Sequence, residues 1–190
     1  MHKGFYYKLA FTNLGKNRKF YLPYMLSCIL MVMLHFILCS LSYTDTWQTI
    51  PENAIVYTIL NLGCYVVEIF ALILLFYTNG FLMKRRKREF GLYNVLGMEK
   101  RHIGRVLFWE TFFAFSASIL VGLGLGILLS KLAELGLLRM VGAATDMVYR
   151  VSVGGLLLTL GLYAGIFLLI LISSLVRVSR STAVQLMRSQ

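Results

Sequence analysis

The chain has 190 residues, of which 58 % are hydrophobic and 14 % charged, with a mean hydropathy of +0.74. Soluble domains run at roughly 45–50 % apolar and ~25 % charged, so this composition excludes a soluble globular enzyme, a disordered tail and a collagen-like chain. Nineteen Lys and Arg stand against eight Asp and Glu, a net charge of +11. The basic residues flank apolar runs, so lipid headgroups and membrane topology explain them, and nucleic-acid binding is not expected.

In chain order, residues 1–20 come first. Tyr6, Tyr7, Ala10, Phe11 and Leu14 recur at helical spacing, with Lys8, Thr12, Lys16 and Lys19 opposite. That pattern predicts an amphipathic helix lying in a headgroup layer. The first apolar run, residues 21–43, is long enough as a helix to cross a ~30 Å hydrocarbon core. Its length and its polar leader argue for a retained anchor and against a signal peptide. Pro23 lies near its start, where a missing N–H costs least. Further spans are expected at 55–82, 106–129 and 151–176, separated by a loop at 44–54, a basic loop at 83–105 and a loop at 130–150, with a tail at 177–190. The expected class is therefore all-α: a polytopic membrane protein with four transmembrane helices.

Orientation follows from the basic residues. Segments 1–20, 83–105 and 177–190 carry sixteen of the nineteen, residues 130–150 carry three and residues 44–54 carry none. The positive-inside rule then places both termini and the 83–105 loop in the cytoplasm of a plasma-membrane protein, with the other two loops outside.

The 83–105 loop opens with five consecutive cations, Lys84, Arg85, Arg86, Lys87 and Arg88. A membrane-surface cluster of this kind attracts anionic lipids at about 1 kcal/mol per residue. Beyond it, Phe90, Leu92, Tyr93, Val95, Leu96 and Met98 form a short apolar pattern interrupted by Gly91 and Gly97. An apolar ridge in a basic loop suggests a docking surface for another protein or for the membrane interface.

These residues carry a resemblance. The run KRRKREFGLYNVLGMEKRHI, the Glu110-Thr111 pair opening the third span, the leader NLGKNRKFYLPY and the segment FYTNGF together resemble the FtsX-like permeases of ABC transporters. The likeness is strongest to their bacitracin-export, antimicrobial-peptide-resistance branch, and it runs from end to end of the chain. It implies a cytoplasmic coupling helix formed by Glu89, Phe90, Gly91, Leu92, Tyr93, Asn94, Leu96, Gly97 and Met98, seated on a separate, dimeric ABC ATPase. It further implies peptide antibiotics, or their complexes with lipid-linked precursors, as cargo and a sensor histidine kinase as a partner. Full-length permeases of this branch have ten spans and a large extracellular domain, whereas four spans are expected here. The chain therefore resembles the N-terminal unit, as a fragment, as a degraded gene product, or as a split permease that needs a second subunit.

Several other chemistries find no support. No P-loop occurs, so ATP hydrolysis would reside on the separate subunit. No HExxH or Ser/His/Asp constellation stands out, and no cofactor or metal is expected. Three scattered cysteines, Cys28, Cys39 and Cys64, read as small apolar fillers. Ser118, Gly122, Gly126 and Ser130 repeat every four residues, and Gly161 and Gly165 do likewise, which points to close helix packing in lipid. Glu68, an acid in mid-span, should face a polar group on a neighbouring helix. Glu110 is expected to pair with the basic loop, for example with Arg105 or Arg101. Two further readings stay open: a stand-alone four-span adaptor that moves no substrate, and an intramembrane enzyme using Glu68, His35 and Glu110.

Overall fold

A computed structural model describes residues 5–43, 54–95, 97–141 and 152–180. Among the described residues five helices appear in this order: α1 (Phe5–Lys16), α2 (Arg18–Ser42), α3 (Ala54–Val95), α4 (Lys100–Val141) and α5 (Val153–Arg180). No strand occurs among the described residues, and the fold is all-α. Among the described residues, four helices contain stretches long and apolar enough to cross a membrane: Arg18–Ser42, Ile55–Lys87, Lys100–Met140 and Val153–Ser179. The protein is thus a multi-pass membrane protein.

The helices overrun the expected spans. At 1.5 Å per residue, the 42 residues of α3 and of α4 each extend about 63 Å, twice the hydrocarbon thickness. Residues 83–95 continue α3, and residues 100–105 already belong to α4. The expected loop at 83–105 therefore reduces to a short connection, because nothing in Lys84–Val95 breaks a helix except Gly91, which costs only about 1 kcal/mol. Likewise α2 begins at Arg18, so Pro23 stands inside the helix rather than at its first turn. Residues 130–141 of the expected loop continue α4, and the segments 44–53, 142–151 and 181–190 lie outside the described residues.

The α3–α4 connection is built by local rules. Gly97 has φ +86°, and the Met98 N–H bonds back to the Tyr93 carbonyl at 2.9 Å. This is the 6→1 bond of a Schellman cap, with glycine in the left-handed position at C′. The apolar contact that usually accompanies such a cap is present, since Tyr93 and Met98 pack on the same cluster. Glu99 then opens α4, its carbonyl accepting from the N–H groups of His102 and Ile103. At the start of α5, the Ser152 hydroxyl accepts from the Gly155 N–H at 3.1 Å, an N-cap.

The chain divides into two compact units, each drawing a segment from all four long helices. The first comprises Met1–Ser27, Leu74–Ala117 and Ile166–Gln190. Its apolar core is Met83, Phe90, Ile103, Leu107 and Val178, with Tyr93, Met98 and Leu175 against it. A second patch seats α1, where Ala10 meets Val106 with Leu9, Met98 and Trp109 around them. The buried face of α1 is thus Ala10 and Asn13, while Tyr7 and Phe11 remain exposed.

The second unit comprises Cys28–Ile73 and Ser118–Gly165. Leu41, Leu60 and Leu138 form its apolar cluster. Here glycine sets the helix spacing. A Cβ on Gly122 would sit 2.9 Å from the Val32 Cβ and 3.0 Å from the Ile29 carbonyl, and one on Gly126 would sit 3.0 Å from Phe36 Cδ1. Ser118 and Ser130 are buried on the same stripe. Gly161 and Gly165 differ: a Cβ there would meet nothing within 4 Å, so neither glycine lets another helix of this chain approach more closely.

Candidate functional site

The first unit encloses a charged centre. On α3, Asn79, Leu82, Met83, Arg86, Phe90 and Tyr93 fall at spacings of three and four, which is one face of a helix. Asn79 through Phe90 in that series are buried and Tyr93 half-buried. Arg86 is 1 % exposed and Glu110 of α4 is 0 % exposed. The guanidinium and the carboxylate form an ion pair in which Nη1 faces Oε2 and Nη2 donates to Oε1 at 3.0 Å. Nη1 also donates to the Tyr21 hydroxyl, and Nε donates to Glu89 Oε2 at 3.1 Å. Four of the five guanidinium N–H groups are therefore used. The ring faces of Tyr21 and Phe90 lie 5.4 and 4.9 Å from the guanidinium carbon, adding cation–π contact.

Glu110 is equally well satisfied. Oε1 accepts from Asn13 Nδ2 (2.9 Å) as well as from Arg86, and Oε2 accepts from the Tyr21 hydroxyl (3.0 Å) as well as from Arg86. All four acceptor positions of the carboxylate are filled. Asn13 Nδ2 reaches on to the Tyr93 hydroxyl at 3.2 Å, and Asn17 Nδ2 donates to Glu89 Oε1 at 2.7 Å. One network thus joins α1, the α1–α2 junction, α2, α3 and α4. Burying two charges is costly, and such a pair persists only when its hydrogen bonds are complete. Removing either partner leaves a naked charge, so the network fixes the relative placement of four elements at once.

This arrangement departs from the expectations in specific ways. Glu110 does pair with a cation of the 83–105 segment, but it is Arg86 and not Arg105 or Arg101, because positions five and nine residues earlier on α4 do not share its face. Arg86 leaves the membrane-surface cluster: Lys84, Arg85 and Lys87 are exposed, with Arg85 lying 5.1 Å over the Phe81 ring, whereas Arg86 turns inward with the apolar stripe. The expected ridge also splits. Phe90 and Gly91 are buried and Tyr93 is half-buried, while Leu92 is 59 % exposed. Gly97 is exposed, Met98 is half-buried and Glu89 is partly buried. Leu96 and the side chains of Arg88 and Asn94 lie outside the described residues.

Sequence reasoning missed Asn13, Asn17 and Tyr21. Their spacing, four and four, was a signal, since an Asn-x3-Asn-x3-Tyr stripe on the Ala10 side is a polar line entering an apolar span. It also missed the buried Asn79, which donates to Ser174 of α5 at 2.9 Å. Near the same end, Lys100 Nζ donates to the Ser179 carbonyl at 2.9 Å. A surface cleft of about 440 Å³ there is lined by Lys100, Arg101, Gly104, Arg105, Phe108 and Leu175.

The second unit holds another polar group. His35 is buried, with Nε2 3.5 Å from Glu68 Oε1 and Nδ1 3.0 Å from Thr159 Oγ1. Cys39 Sγ lies 3.4 Å from Cys64 Sγ. Glu68 therefore does meet a polar side chain of a neighbouring helix. Of the three residues of the enzyme reading, His35 and Glu68 are together, whereas the hydrogen-bond partners of Glu110 are Arg86, Tyr21 and Asn13.

Comparison with known proteins places this geometry. The chain is 30 % identical over 185 residues to the bacitracin export permease protein BceB of Bacillus subtilis (strain 168). It is 26 % identical over 183 residues to the uncharacterized ABC transporter permease YvcS of the same strain, and 26 % identical over 178 residues to a bacitracin export permease protein BceB of Halalkalibacterium halodurans. The alignments cover 94–95 % of this chain but 28 % of each relative, so the chain spans less than a third of the length of the curated relatives it matches. Residues 62–183, most of α3 and all of α4 and α5, match the family described as FtsX-like permease C-terminal. That match takes in more than half of the chain, and the chain belongs to the FtsX-like permease family.

Proposed function

We propose that this chain is a membrane-spanning permease unit that couples ATP hydrolysis on a separate ABC ATPase to export or detoxification of antimicrobial peptides. The observation that carries the reading is the Arg86–Glu110 network directly behind residues 89–98. A helix end that receives force from a motor must be stiff, or the force dissipates locally. Here the end of α3 is braced through Arg86, Glu89, Phe90 and Tyr93 to α1, α2 and α4, while Leu92 points outward from the same turn. A push on Leu92 would then displace the whole unit as one body. The part proposed for this chain in transport is mechanical.

The basic ends of the helices would lie in the cytoplasm, as the distribution of Lys and Arg requires, with both termini on that side of the plasma membrane. The cleft at Lys100, Arg101 and Arg105 combines three cations with an apolar floor, which suits an anionic lipid at the inner surface. The relatives are several times longer, so the peptide-binding part, any second permease half and any sensor-kinase contact would be supplied by residues beyond this unit. The names of two relatives point to bacitracin-like peptides as the cargo class.

The test is co-purification. In cells that make an ABC ATPase from the same genome, Leu92→Asp is expected to abolish recovery of the ATPase while membrane insertion is unchanged. Equal recovery of ATPase with Leu92→Asp, or photo-cross-links from residues 90–98 that capture only lipid, would overturn the docking reading. Loss of transport with ATPase recovery intact would instead separate docking from coupling and place the defect in the brace.

A further inference from the structure

Cys39 and Cys64 lie on different helices, 25 residues apart in sequence, with their sulfurs 3.4 Å apart. Cys39 is 2 % and Cys64 8 % exposed, and both are free thiols. Buried cysteine is ordinarily a small apolar filler, but fillers have no reason to meet sulfur to sulfur beside a titratable ring. His35 precedes Cys39 by one helical turn and Glu68 follows Cys64 by one turn, so the two i, i+4 pairs face each other. His35 Nε2 lies 3.6 Å from Cys39 Sγ and 3.5 Å from Glu68 Oε1.

The Thr159 hydroxyl donates to the Gly155 carbonyl at 2.8 Å, which leaves its oxygen to accept from His35 Nδ1–H at 3.0 Å. Cys39 Sγ donates to Cys64 Sγ, and His35 Nε2 lies 3.6 Å from Cys39 Sγ. With its proton on Nδ1 the ring can take a proton on Nε2, and the imidazolium so formed stands opposite the Glu68 carboxylate. Among the described residues no group of three or more His, Cys, Asp and Glu side chains is arranged to hold a metal ion, so metal ligation is not the reason for the pairing.

We infer that Cys39 and Cys64 are a paired-thiol site that an apolar hydroperoxide oxidises to a disulfide between α2 and α3, with His35 as the proton acceptor. The site lies within helices long and apolar enough to cross a membrane, and an apolar hydroperoxide is the kind of oxidant that partitions to that depth. Cys39 gives its proton to His35 Nε2 and attacks the terminal oxygen of the hydroperoxide. The O–O bond breaks, Cys39 becomes a sulfenic acid, and the departing alkoxide recovers the proton from His35. The Cys64 sulfur then attacks the sulfenic sulfur, water leaves, and the S–S bond forms. Two thiols and one hydroperoxide give one disulfide, one alcohol and one water, the two electrons lost by sulfur reducing the peroxide. The sulfurs need to close by roughly 1.4 Å, within the reach of side-chain rotation. Once formed, the bond fastens α2 to α3 and prevents them from sliding past each other within this unit.

The test counts thiols in membranes of cells that make the protein. Samples are treated with cumene hydroperoxide, denatured, and tagged with a maleimide that adds a fixed mass per free thiol. The expected result is three tags before treatment, one after it, and three again after dithiothreitol, with a Cys39–Cys64 cross-linked peptide seen by mass spectrometry. Cys39→Ser should keep two tags throughout, whereas Cys64→Ser should fall from two tags to one as Cys39 stops at the sulfenic acid, and return to two after dithiothreitol. His35→Gln should slow the loss of tags by about tenfold or more while reaching the same end point. Three tags remaining after cumene hydroperoxide would overturn the proposal, whether or not copper-phenanthroline then forms the bond, as would thiol loss that dithiothreitol does not reverse. An unchanged rate in His35→Gln would remove the histidine from the mechanism.

Discussion

The two units solve the problem of joining membrane helices in different ways. The first unit uses a complete charged network, with Arg86 and Glu110 saturated by Tyr21, Asn13 and Glu89 and wrapped in Met83, Phe90, Ile103 and Leu107. The second uses small residues, with Gly122 and Gly126 letting α4 come within contact of the α2 backbone at Ile29 and Met33. Its polar group is looser: His35 and Glu68 stand 3.5 Å apart, and the buried Tyr163 hydroxyl has no hydrogen-bond partner. A saturated ion pair specifies one arrangement, because any shift unpairs a buried charge. Close backbone packing tolerates sliding along the groove, because van der Waals contact is lost gradually.

The largest effect should come from breaking the charged network. Glu110→Ala or Arg86→Ala leaves one buried charge unpaired and should cost on the order of 3–5 kcal/mol. Thermal unfolding in detergent, read by tryptophan fluorescence or by loss of the monodisperse peak, checks this. Replacing both together, Arg86→Met with Glu110→Leu, should be far milder than the sum of the single changes. If the double change were as harmful as the sum, the network would not be the source of the first unit's rigidity.

A smaller effect should separate the glycines of the second unit. Gly122→Ala drives a methyl group into Val32 and the Ile29 carbonyl and should cost about 1–3 kcal/mol. Gly124→Ala, two residues away and facing open space, should be neutral or stabilising by up to about 1 kcal/mol through helix propensity. The same unfolding assay compares the pair, and equal effects would deny that packing distance is set at Gly122.

The smallest effect belongs to the α3–α4 connection. Gly97 has open space around it but a positive φ, so Gly97→Ala should cost about 1 kcal/mol through backbone strain alone. Local hydrogen exchange at Met98 should accelerate, since its N–H closes the cap on Tyr93. No change in exchange there would mean that the cap contributes nothing to holding the end of α3.

Much of this was readable in the residues themselves. Four apolar stretches and a lopsided distribution of Lys and Arg follow from composition along the chain, because insertion into hydrocarbon is decided by length and average hydropathy. The small-residue stripe at Ser118, Gly122 and Gly126 was visible as a period of four. The outward position of Leu92 and the inward one of Phe90 could not be read from their shared hydrophobicity, because both sit in one short apolar pattern and only the direction of α3 separates them. Helix ends were also misplaced, since charged residues near a membrane surface remain good helix formers and do not stop α3 or α4.

The sequence by itself determined the class of protein, the number of crossings and the family pattern at 84–111, because these depend on local composition and order. Only the tertiary structure decided which one of five adjacent cations is buried, that its partner is Glu110, and that two asparagines from α1 and its junction complete the site. It also brought Cys39 to Cys64. A charge or a thiol looks the same in sequence whether it faces lipid, water or a partner, and that difference appears only once helices distant in the chain are packed side by side.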